Sequence, residues 1–183
     1  MLSQNKASVP ENLISLAKKT SQMPVGIVSA HQAAAMESAK QAFELNLIIP
    51  IFIGDKNGIQ EEASALNWDI NSFEIIDQSD DQEAAIIGVQ LARDNKIKVL
   101  IKGNLHTDTL MRAYLKKEFA LIEKRRLSHI WHMTTPNNNK PLFITDGALN
   151  VSPRIDVKMH ILFNAVEFAK KTGISKPRVA VLS

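Results

Sequence analysis

Residues 98–112 are Lys-Val-Leu-Ile-Lys-Gly-Asn-Leu-His-Thr-Asp-Thr-Leu-Met-Arg. The apolar run Val99–Ile101 predicts a short buried strand that ends at Lys102–Gly103. Either Thr107 or Asp108 can cap the helix that follows. A strand, a glycine turn and a helix N-terminus together present backbone N–H groups and the positive end of a helix dipole, here beside a lysine and a threonine hydroxyl. Since such groups bind phosphate and other oxyanions, the stretch predicts an anion site.

Apolar runs of strand length alternate with helical patterns along most of the chain. The predicted strands are Val25–Ser29, Ile49–Ile53, Phe73–Ile76, Lys98–Ile101, His129–Met133, Leu142–Thr145 and Arg178–Leu182. The predicted helices are Gln32–Leu45, Asp81–Arg93 with Ser79 or Asp80 as its cap, and Ile155–Lys171, which stops at Gly173. This alternation indicates an α/β fold with a mostly parallel sheet and helices on both of its faces.

Two finer expectations follow from the same pattern. We expect Val25–Ser29, Ile49–Ile53 and Lys98–Ile101 to be the central, buried strands of the sheet. No helical pattern separates His129–Met133 from Leu142–Thr145, so residues 129–145 can form an antiparallel β-hairpin.

The composition is that of an ordinary globular protein. The 183 residues suit one domain with a sizeable core. The chain has no cysteine, which excludes disulfides, thiolate zinc sites and cysteine nucleophiles. Its lysines and arginines are scattered apart from one cluster, Lys116, Lys117, Lys124, Arg125 and Arg126, and it has a single tyrosine. We therefore expect no nucleic-acid partner. The polar N-terminus and the absence of long apolar runs predict a cytoplasmic protein with no membrane partner.

Several familiar chemistries lack their motifs. The sequence contains no G-x-x-x-x-G-K-[ST] phosphate loop, no G-x-G-x-x-G after a strand and no G-x-S-x-G elbow. These absences argue against a P-loop nucleoside triphosphatase, a dinucleotide-binding fold and an α/β-hydrolase. His106 and Asp108 could in principle hold a metal ion, but helix capping better explains Asp108, and no metal site is predicted.

Two motifs carry a family resemblance. Residues 102–111, with the pattern Lys-Gly-x-Leu-His-Thr-Asp-x-Leu-Met, resemble the phosphate acetyl/butyryl transferases, which exchange acyl groups between coenzyme A and phosphate. Residues 140–153, Lys-Pro-Leu-Phe-Ile-Thr-Asp-Gly-Ala-Leu-Asn-Val-Ser-Pro, look like the second signature of that family. The similarity is strongest from about Lys98 to Asn164, and it extends from about Glu11 to the end of the chain.

The resemblance implies a reaction and its small-molecule substrates, acyl phosphate and acyl-coenzyme A. Coenzyme A would be a substrate, and no cofactor is implied. The candidate phosphate- and substrate-binding residues are Lys102, Gly103, Thr107, Arg112, Thr145 and Asp146. Each has a simpler alternative: a solvated lysine, a turn glycine, a helix cap, a surface arginine, and a turn for the last two. A basic patch such as the cluster above would also suit the phosphates of coenzyme A, although a solvated helix face is the commoner role.

The predicted strand Arg178–Leu182 ends one residue before the chain does, whereas a parallel strand is normally followed by a covering helix. The resemblance implies that family members run well beyond this length. Residues 1–183 would then be the N-terminal portion of a family domain, with an incomplete architecture like that of the isocitrate and isopropylmalate dehydrogenases.

The resemblance also places the family's serine, arginine and aspartate that handle the thiol and the carbonyl outside this chain, so no catalytic residue is assigned. We expect the chain alone to be inactive in acyl transfer, and to associate as a homodimer or with the missing half. The alternative is a non-catalytic remnant, or a module that binds a phosphate-bearing ligand or a partner chain.

Overall fold

The computed structural model of the protein describes residues 9–122, 124–134 and 140–182. Its elements are α1 Glu11–Ala17, β1 Met23–Val28, α2 Ala33–Glu44, β2 Ile48–Gly54, α3 Lys56–Ala65, β3 Glu74–Asp77, α4 Asp81–Arg93, β4 Val99–Lys102, α5 Thr107–Tyr114, a 3₁₀ turn Lys117–Phe119, β5 Trp131–Thr134, β6 Pro141–Ile144 and α6 Ile155–Lys171. The chain divides into two compact units. We call Ala17–Leu121 the sheet unit, and Met1–Leu16 with Ile122–Ser183 the hairpin unit. No helix in the described ranges is long and apolar enough to cross a membrane.

The sheet unit is an α/β sandwich, which confirms the predicted fold class. Within the described residues, four strands form a parallel sheet in the order β3-β2-β1-β4. One face packs on α2 and α3 through a cluster that includes Ile27, Met36 and Ile59. The other face packs on α4 and α5 through a cluster that includes Val28 and Val89. The two central strands are therefore buried from both sides, as their apolar sequences require.

Side-chain caps define where two of the helices begin. The Asp80 carboxylate accepts the N–H groups of Gln82 and Glu83, each at 2.9 Å, which confirms Asp80 as the cap of α4. The Asp55 carboxylate caps α3 in the same way. Helix α3 is absent from the predicted elements, although Ile59 and Ala63 are spaced four residues apart and both are buried. Its apolar face is narrow, and the charged residues around it obscure the pattern.

The position predicted for Lys98–Ile101 in the sheet is wrong. This strand, β4, lies at an edge of the sheet and, among the described residues, pairs with β1 alone. Val99 and Ile101 are 40% and 36% exposed, whereas Val25 and Ile27, their partners on β1, are buried. An apolar run predicts a strand, but it carries no information on strand order, which the crossover connections determine.

The hairpin unit contains the predicted antiparallel pair. Strands β5 and β6 are joined in register, with Trp131 opposite Ile144 and His132 opposite Phe143. The Phe143 ring packs edge-on against Phe168 of α6, with ring centroids 5.7 Å apart. The predicted bounds of both strands are one or two residues off, and the predicted helix Ile155–Lys171 is confirmed.

The predicted buried strand at Arg178–Leu182 is wrong. The segment is irregular, and Val181 and Leu182 are 75% and 88% exposed. A strand needs a neighbour to satisfy its backbone N–H and C=O groups, and no described segment pairs with this one. Its apolar side chains alone do not make it a strand.

Candidate functional site

The carboxyl ends of β1 and β4 meet where the strand order of the sheet reverses direction. The chain runs outward from β1 to β2 and β3, and then crosses back to β4 on the other side of β1. In open parallel sheets, ligands gather outside the carboxyl ends of the strands at such a switch point. Lys102 is the last residue of β4, so the lysine on which the predicted anion site depends lies at this switch point.

Lys102 is held against the turn that it begins. Its ammonium group donates hydrogen bonds to the carbonyl oxygens of Gly103 at 3.1 Å and Leu105 at 2.8 Å. An ammonium group has three donors, so one N–H remains for a ligand. The turn therefore fixes the position of a positive charge at the switch point, before any ligand is bound.

The N-terminus of α5 supplies the backbone donors. The His106 carbonyl accepts the N–H groups of Thr109 and Leu110. The N–H groups of Thr107 and Asp108, at the helix start, have no acceptor within the helix and are left for other acceptors. The helix dipole favours negative charge at this end. Thr107 and Asp108 were predicted as alternative caps, and neither is the cap. The N-cap is His106, whose backbone is extended and whose side chain makes no cap hydrogen bond.

Gly103 is needed for contact with β1. Its N–H donates to the Val28 carbonyl at 2.7 Å, and the Asn104 N–H donates to the Ser29 carbonyl, also at 2.7 Å. A Cβ atom at residue 103 would lie 2.3 Å from the Ser29 carbonyl oxygen. These two N–H groups are thus already satisfied. The backbone donors available to an anion belong to α5 rather than to the glycine itself.

Arg112 lies one turn into α5 and forms an ion pair with Asp108. The guanidinium nitrogen and the carboxylate oxygen are 3.1 Å apart, and both side chains are largely exposed. Exposed pairs spaced four residues apart on a helix contribute little to stability. The pair offsets the negative charge that Asp108 would otherwise bring to the helix start.

The end of β1 contributes residues that were missed in the sequence. Ser29 is buried with φ +52, and its hydroxyl donates to the Asp81 carboxylate at 2.6 Å. The left-handed backbone of a non-glycine residue is uncommon and is often found at functional positions. The neighbouring His31 has a solvent-shielded Nδ1 with no hydrogen-bond partner among the described residues. The signal that could have found them was their position at the carboxyl end of the predicted strand Val25–Ser29, where Ser29 is its last residue and His31 follows two residues later.

Thr145 and Asp146 belong to the hairpin unit, where they organise a turn. The Thr145 hydroxyl donates to the His129 carbonyl at 2.6 Å. The Asp146 carboxylate accepts the N–H groups of Ala148 at 3.0 Å and Leu149 at 2.9 Å, and an Asn150 amide N–H at 2.5 Å. The six candidate residues thus fall into two groups. One group lies at one end of the sheet unit and consists of Lys102, Gly103, Thr107 and Arg112. The other group is Thr145 and Asp146 of the hairpin unit.

The turn around Asp146 also sets the charge of that residue. Burial by itself raises the pKa of the Asp146 carboxyl, but hydrogen bonds from the backbone of Ala148, Leu149 and His129 and from the Asn150 side chain outweigh it. The pKa therefore lies below its usual value. The carboxylate is a fixed acceptor within its turn.

A family model for "Phosphate acetyl/butaryl transferase" matches residues 80–183, just over half of the chain. The chain belongs to this family. The match includes both motifs that carry the resemblance in the sequence, and it confirms that resemblance. It also spans α5 and the whole turn around Asp146.

Curated members of the family align with most of the chain. Phosphate acetyltransferase of Rhizobium meliloti is 34% identical over 170 residues, which cover 92% of this chain and 54% of that protein. Phosphate butyryltransferase of Clostridium beijerinckii is 33% identical over an alignment that covers 93% of this chain and 56% of that protein. The chain therefore spans about half the length of the curated relatives it matches.

Solved structures of the family share the fold. A branched-chain phosphotransacylase from Enterococcus faecalis superposes with a TM-score of 0.67 at 27% identity, over 84% of this chain and 53% of that one. A phosphotransacetylase from Streptococcus pyogenes superposes with a TM-score of 0.75 at 18% identity, over 92% of this chain and 60% of that one. The second of these likenesses supports the fold alone.

Proposed function

We propose that this chain forms part of an acyltransferase that moves an acyl group between coenzyme A and phosphate, and that the turn from Lys102 to Asp108 binds the phosphate group. The observation that carries the proposal is the position of this turn. In a member of the phosphate acetyl/butyryl transferase family, it brings a fixed ammonium group and free helix N–H groups to the switch point of the sheet.

The proposed reaction needs three contributions from the protein. The thiolate of coenzyme A attacks the carbonyl carbon of the acyl phosphate, a C–S bond forms, and the C–O bond to phosphate breaks with its electron pair going to the phosphate. Negative charge therefore increases on the leaving phosphate, where Lys102 and the N–H groups of Thr107 and Asp108 would stabilise it. A base must accept the thiol proton, and another group must stabilise the carbonyl oxygen. We assign neither role to a residue of this chain.

We further propose that the 183-residue chain does not turn over by itself. Acyl transfer requires the phosphate site and the base to meet on the same substrate, and a chain with about half the length of its relatives offers only the first of these. A polypeptide that carries the remaining segment of a relative would then complete the site.

The binding step can be tested on this chain alone. Isothermal titration with acetyl phosphate and with inorganic phosphate should give an affinity about tenfold lower for Lys102→Ala, because a charge-assisted hydrogen bond of about 1.5 kcal/mol or more is lost. Lys98→Ala is the matched control, since it removes an exposed lysine from the opposite end of β4. Equal affinities for the two variants would exclude Lys102 from a phosphate site.

The catalytic step needs a second experiment. Phosphate release from acetyl or butyryl phosphate, dependent on coenzyme A, should be undetectable with the chain alone. It should appear when the remaining segment of the Rhizobium meliloti relative is added as a second chain or fused to Ser183. Turnover by the chain alone would place the base within these residues. If the fusion stays inactive while phosphate still binds, a non-catalytic binding module is the better description.

A further inference from the structure

The backbone at the end of β1 lies between the ends of its two neighbouring strands. Ser29 directly follows β1, is buried, and has a left-handed backbone with φ +52. A Cβ atom at Gly54, the last residue of β2, would lie 3.2 Å from the Ser29 Cα atom. A Cβ atom at Gly103, directly after β4, would lie 2.3 Å from the Ser29 carbonyl oxygen. The carboxyl ends of three strands therefore meet closely around Ser29.

The Ser29 side chain connects this junction to helix α4. Its hydroxyl donates to the Asp81 carboxylate at 2.6 Å, and Asp81 is the first residue of α4. Hydrogen bonds to a charged acceptor are stronger than those between neutral groups. A left-handed backbone is unfavourable for a residue that has a side chain, and it persists only where the surroundings hold it. The bond to Asp81 therefore helps to keep Ser29 in this conformation.

The Ser29 backbone is in turn bonded to the segment that carries the proposed phosphate site. Its carbonyl accepts the Asn104 N–H at 2.7 Å. Asn104 lies within the turn between β4 and α5, which the Lys102 ammonium group closes by donating to the Leu105 carbonyl at 2.8 Å. A change of the Ser29 backbone that broke the bond to Asn104 would therefore also displace Lys102 and the start of α5.

The charge of Asp81 makes a role in positioning distinguishable from an electrostatic role. Asp81 begins the helix that follows β3, so its carboxylate lies at the same edge of the sheet as Lys102 and would repel a bound phosphate. If only its charge mattered, removal of that charge would make phosphate bind more tightly. A contribution through Ser29 has the opposite sign, because loss of the hydrogen-bond acceptor would weaken phosphate binding.

We propose that Asp81 and Ser29 are positioning residues for the phosphate-binding turn. The hydrogen bond between them fixes the backbone at the end of β1, and the bond from Asn104 to Ser29 passes this order to Lys102 and the start of α5. Neither Asp81 nor the Ser29 hydroxyl is assigned a contact with the ligand. This proposal rests on the proposed function in one respect, namely that the ligand of the turn is a phosphate group.

Phosphate titration of four variants tests the proposal, and those at Asp81 alone leave the core intact because Asp81 is partly exposed. Asp81→Ala and Ser29→Ala should each bind inorganic phosphate and acetyl phosphate about tenfold more weakly, since both lose the bond. Asp81→Asn keeps an oxygen that accepts from the Ser29 hydroxyl but carries no charge, so its affinity should equal or exceed that of the parent chain. The double variant Ser29→Ala/Asp81→Ala should bind no more weakly than either single variant, because both act through one bond.

Amide hydrogen exchange gives a second readout that requires no ligand. The Asn104 N–H should exchange about tenfold faster in Asp81→Ala and Ser29→Ala than in the parent chain, and Asp81→Asn should restore the parent rate. Leu91→Ala is the matched control, since it truncates a buried side chain near the other end of the same helix. It should lower the free energy of unfolding but change the Asn104 exchange rate and the phosphate affinity by less than about twofold.

The outcomes separate this proposal from the assignment of the phosphate site. If the parent chain and Lys102→Ala bind phosphate equally, the site at Lys102 fails, and the Asn104 exchange rates still decide whether Asp81 and Ser29 position the turn. If Lys102→Ala binds weakly but Asp81→Ala binds at least as tightly as the parent chain, the phosphate site stands and the positioning role is overturned. Equal acceleration of Asn104 exchange in Leu91→Ala would attribute the effect to general stability and would also overturn that role.

Discussion

The sheet unit and the hairpin unit are built on different principles. In the sheet unit, Phe52, Ile27 and Met36 are wholly excluded from solvent, because helices cover both faces of the sheet. In the hairpin unit, Trp131 and Leu142 are 55% and 48% exposed, and both lie on the face of the hairpin opposite to the one that packs on α6. A sheet with a single covered face buries only half of its side chains. The apolar sequence of a strand is thus a poor guide to its burial when the covering layer is incomplete.

In the hairpin unit, hydrogen bonds from polar side chains help to fix the backbone. Asn150 and Asn164 bond to the backbone of residues 126–127, and Asp146 gathers three donors of its own turn. Such side chain to backbone bonds contribute about 1 kcal/mol each, less than the burial of a large side chain in a closed core. The two units should therefore respond very differently to truncation of an apolar residue and to a change of pH.

Truncation of core side chains should have the largest effect. Phe52→Ala should lower the free energy of unfolding by about 3–5 kcal/mol, because it leaves a large cavity against Trp68 and Phe73. Leu142→Ala on the exposed hairpin face should cost less than about 1 kcal/mol. Urea unfolding followed by Trp68 emission in a Trp131→Phe background measures Phe52→Ala in the sheet unit, and Trp131 emission in a Trp68→Phe background measures Leu142→Ala in the hairpin unit. Similar losses for the two substitutions would contradict the contrast between the units.

A methyl group added at the strand junction should have the next largest effect. Gly103→Ala should cost about 2–3 kcal/mol, because its Cβ would lie 2.7 Å or less from the carbonyl oxygens of Val28 and Ser29 and would force β4 away from β1. Gly147→Ala is the control from the hairpin unit, since its Cβ would meet the Trp131 ring at an ordinary 3.5 Å. Denaturant titration of both variants measures the difference. A mild effect at Gly103 would mean that the backbone there adjusts freely.

The fold of the sheet unit followed from the sequence because its signals are local. Apolar runs of a few residues predict strands β1 and β2. Periodicity and capping within a few residues likewise predict the bounds of α4 and its Asp80 cap. The edge position of β4 and the irregular backbone of Arg178–Leu182 depend instead on which segments pair across the fold. Pairing is a long-range property, and no apolar run encodes it.

The candidate site, like the fold, could be predicted from the sequence only in part. The glycine and helix start around Lys102 were evident from residues 98–112, but the sequence suggested that Gly103 could face a ligand, whereas it contacts β1. Ser29 and His31 were missed because only the parallel alignment of β1 with β4 brings the end of β1 beside Lys102. The basic residues 124–126 were visible in the sequence as a cluster of charges, but the ion pair of Arg125 with Glu167 is apparent only in the structure.

Acid titration of the hairpin unit should have the smallest effect. The pKa of Asp146 is held below its usual value by the hydrogen bonds of its turn, even though burial raises it. The resulting stability is present above the unfolded-state pKa of about 3.8 and is lost as the pH falls through the lower folded-state pKa. Asp146→Asn should therefore lower the stability by about 1 kcal/mol at pH 7 and by progressively less below about pH 4. The emission of Trp131 during unfolding at each pH, in a Trp68→Phe background, measures this difference. Glu61→Gln is the control, because it removes an exposed carboxylate of the sheet unit that has no hydrogen-bond partner among the described residues, and it should leave the free energy of unfolding at pH 7 unchanged. If the gap between Asp146→Asn and the parent chain stayed constant down to pH 2, the carboxylate would not be the group that orders the turn.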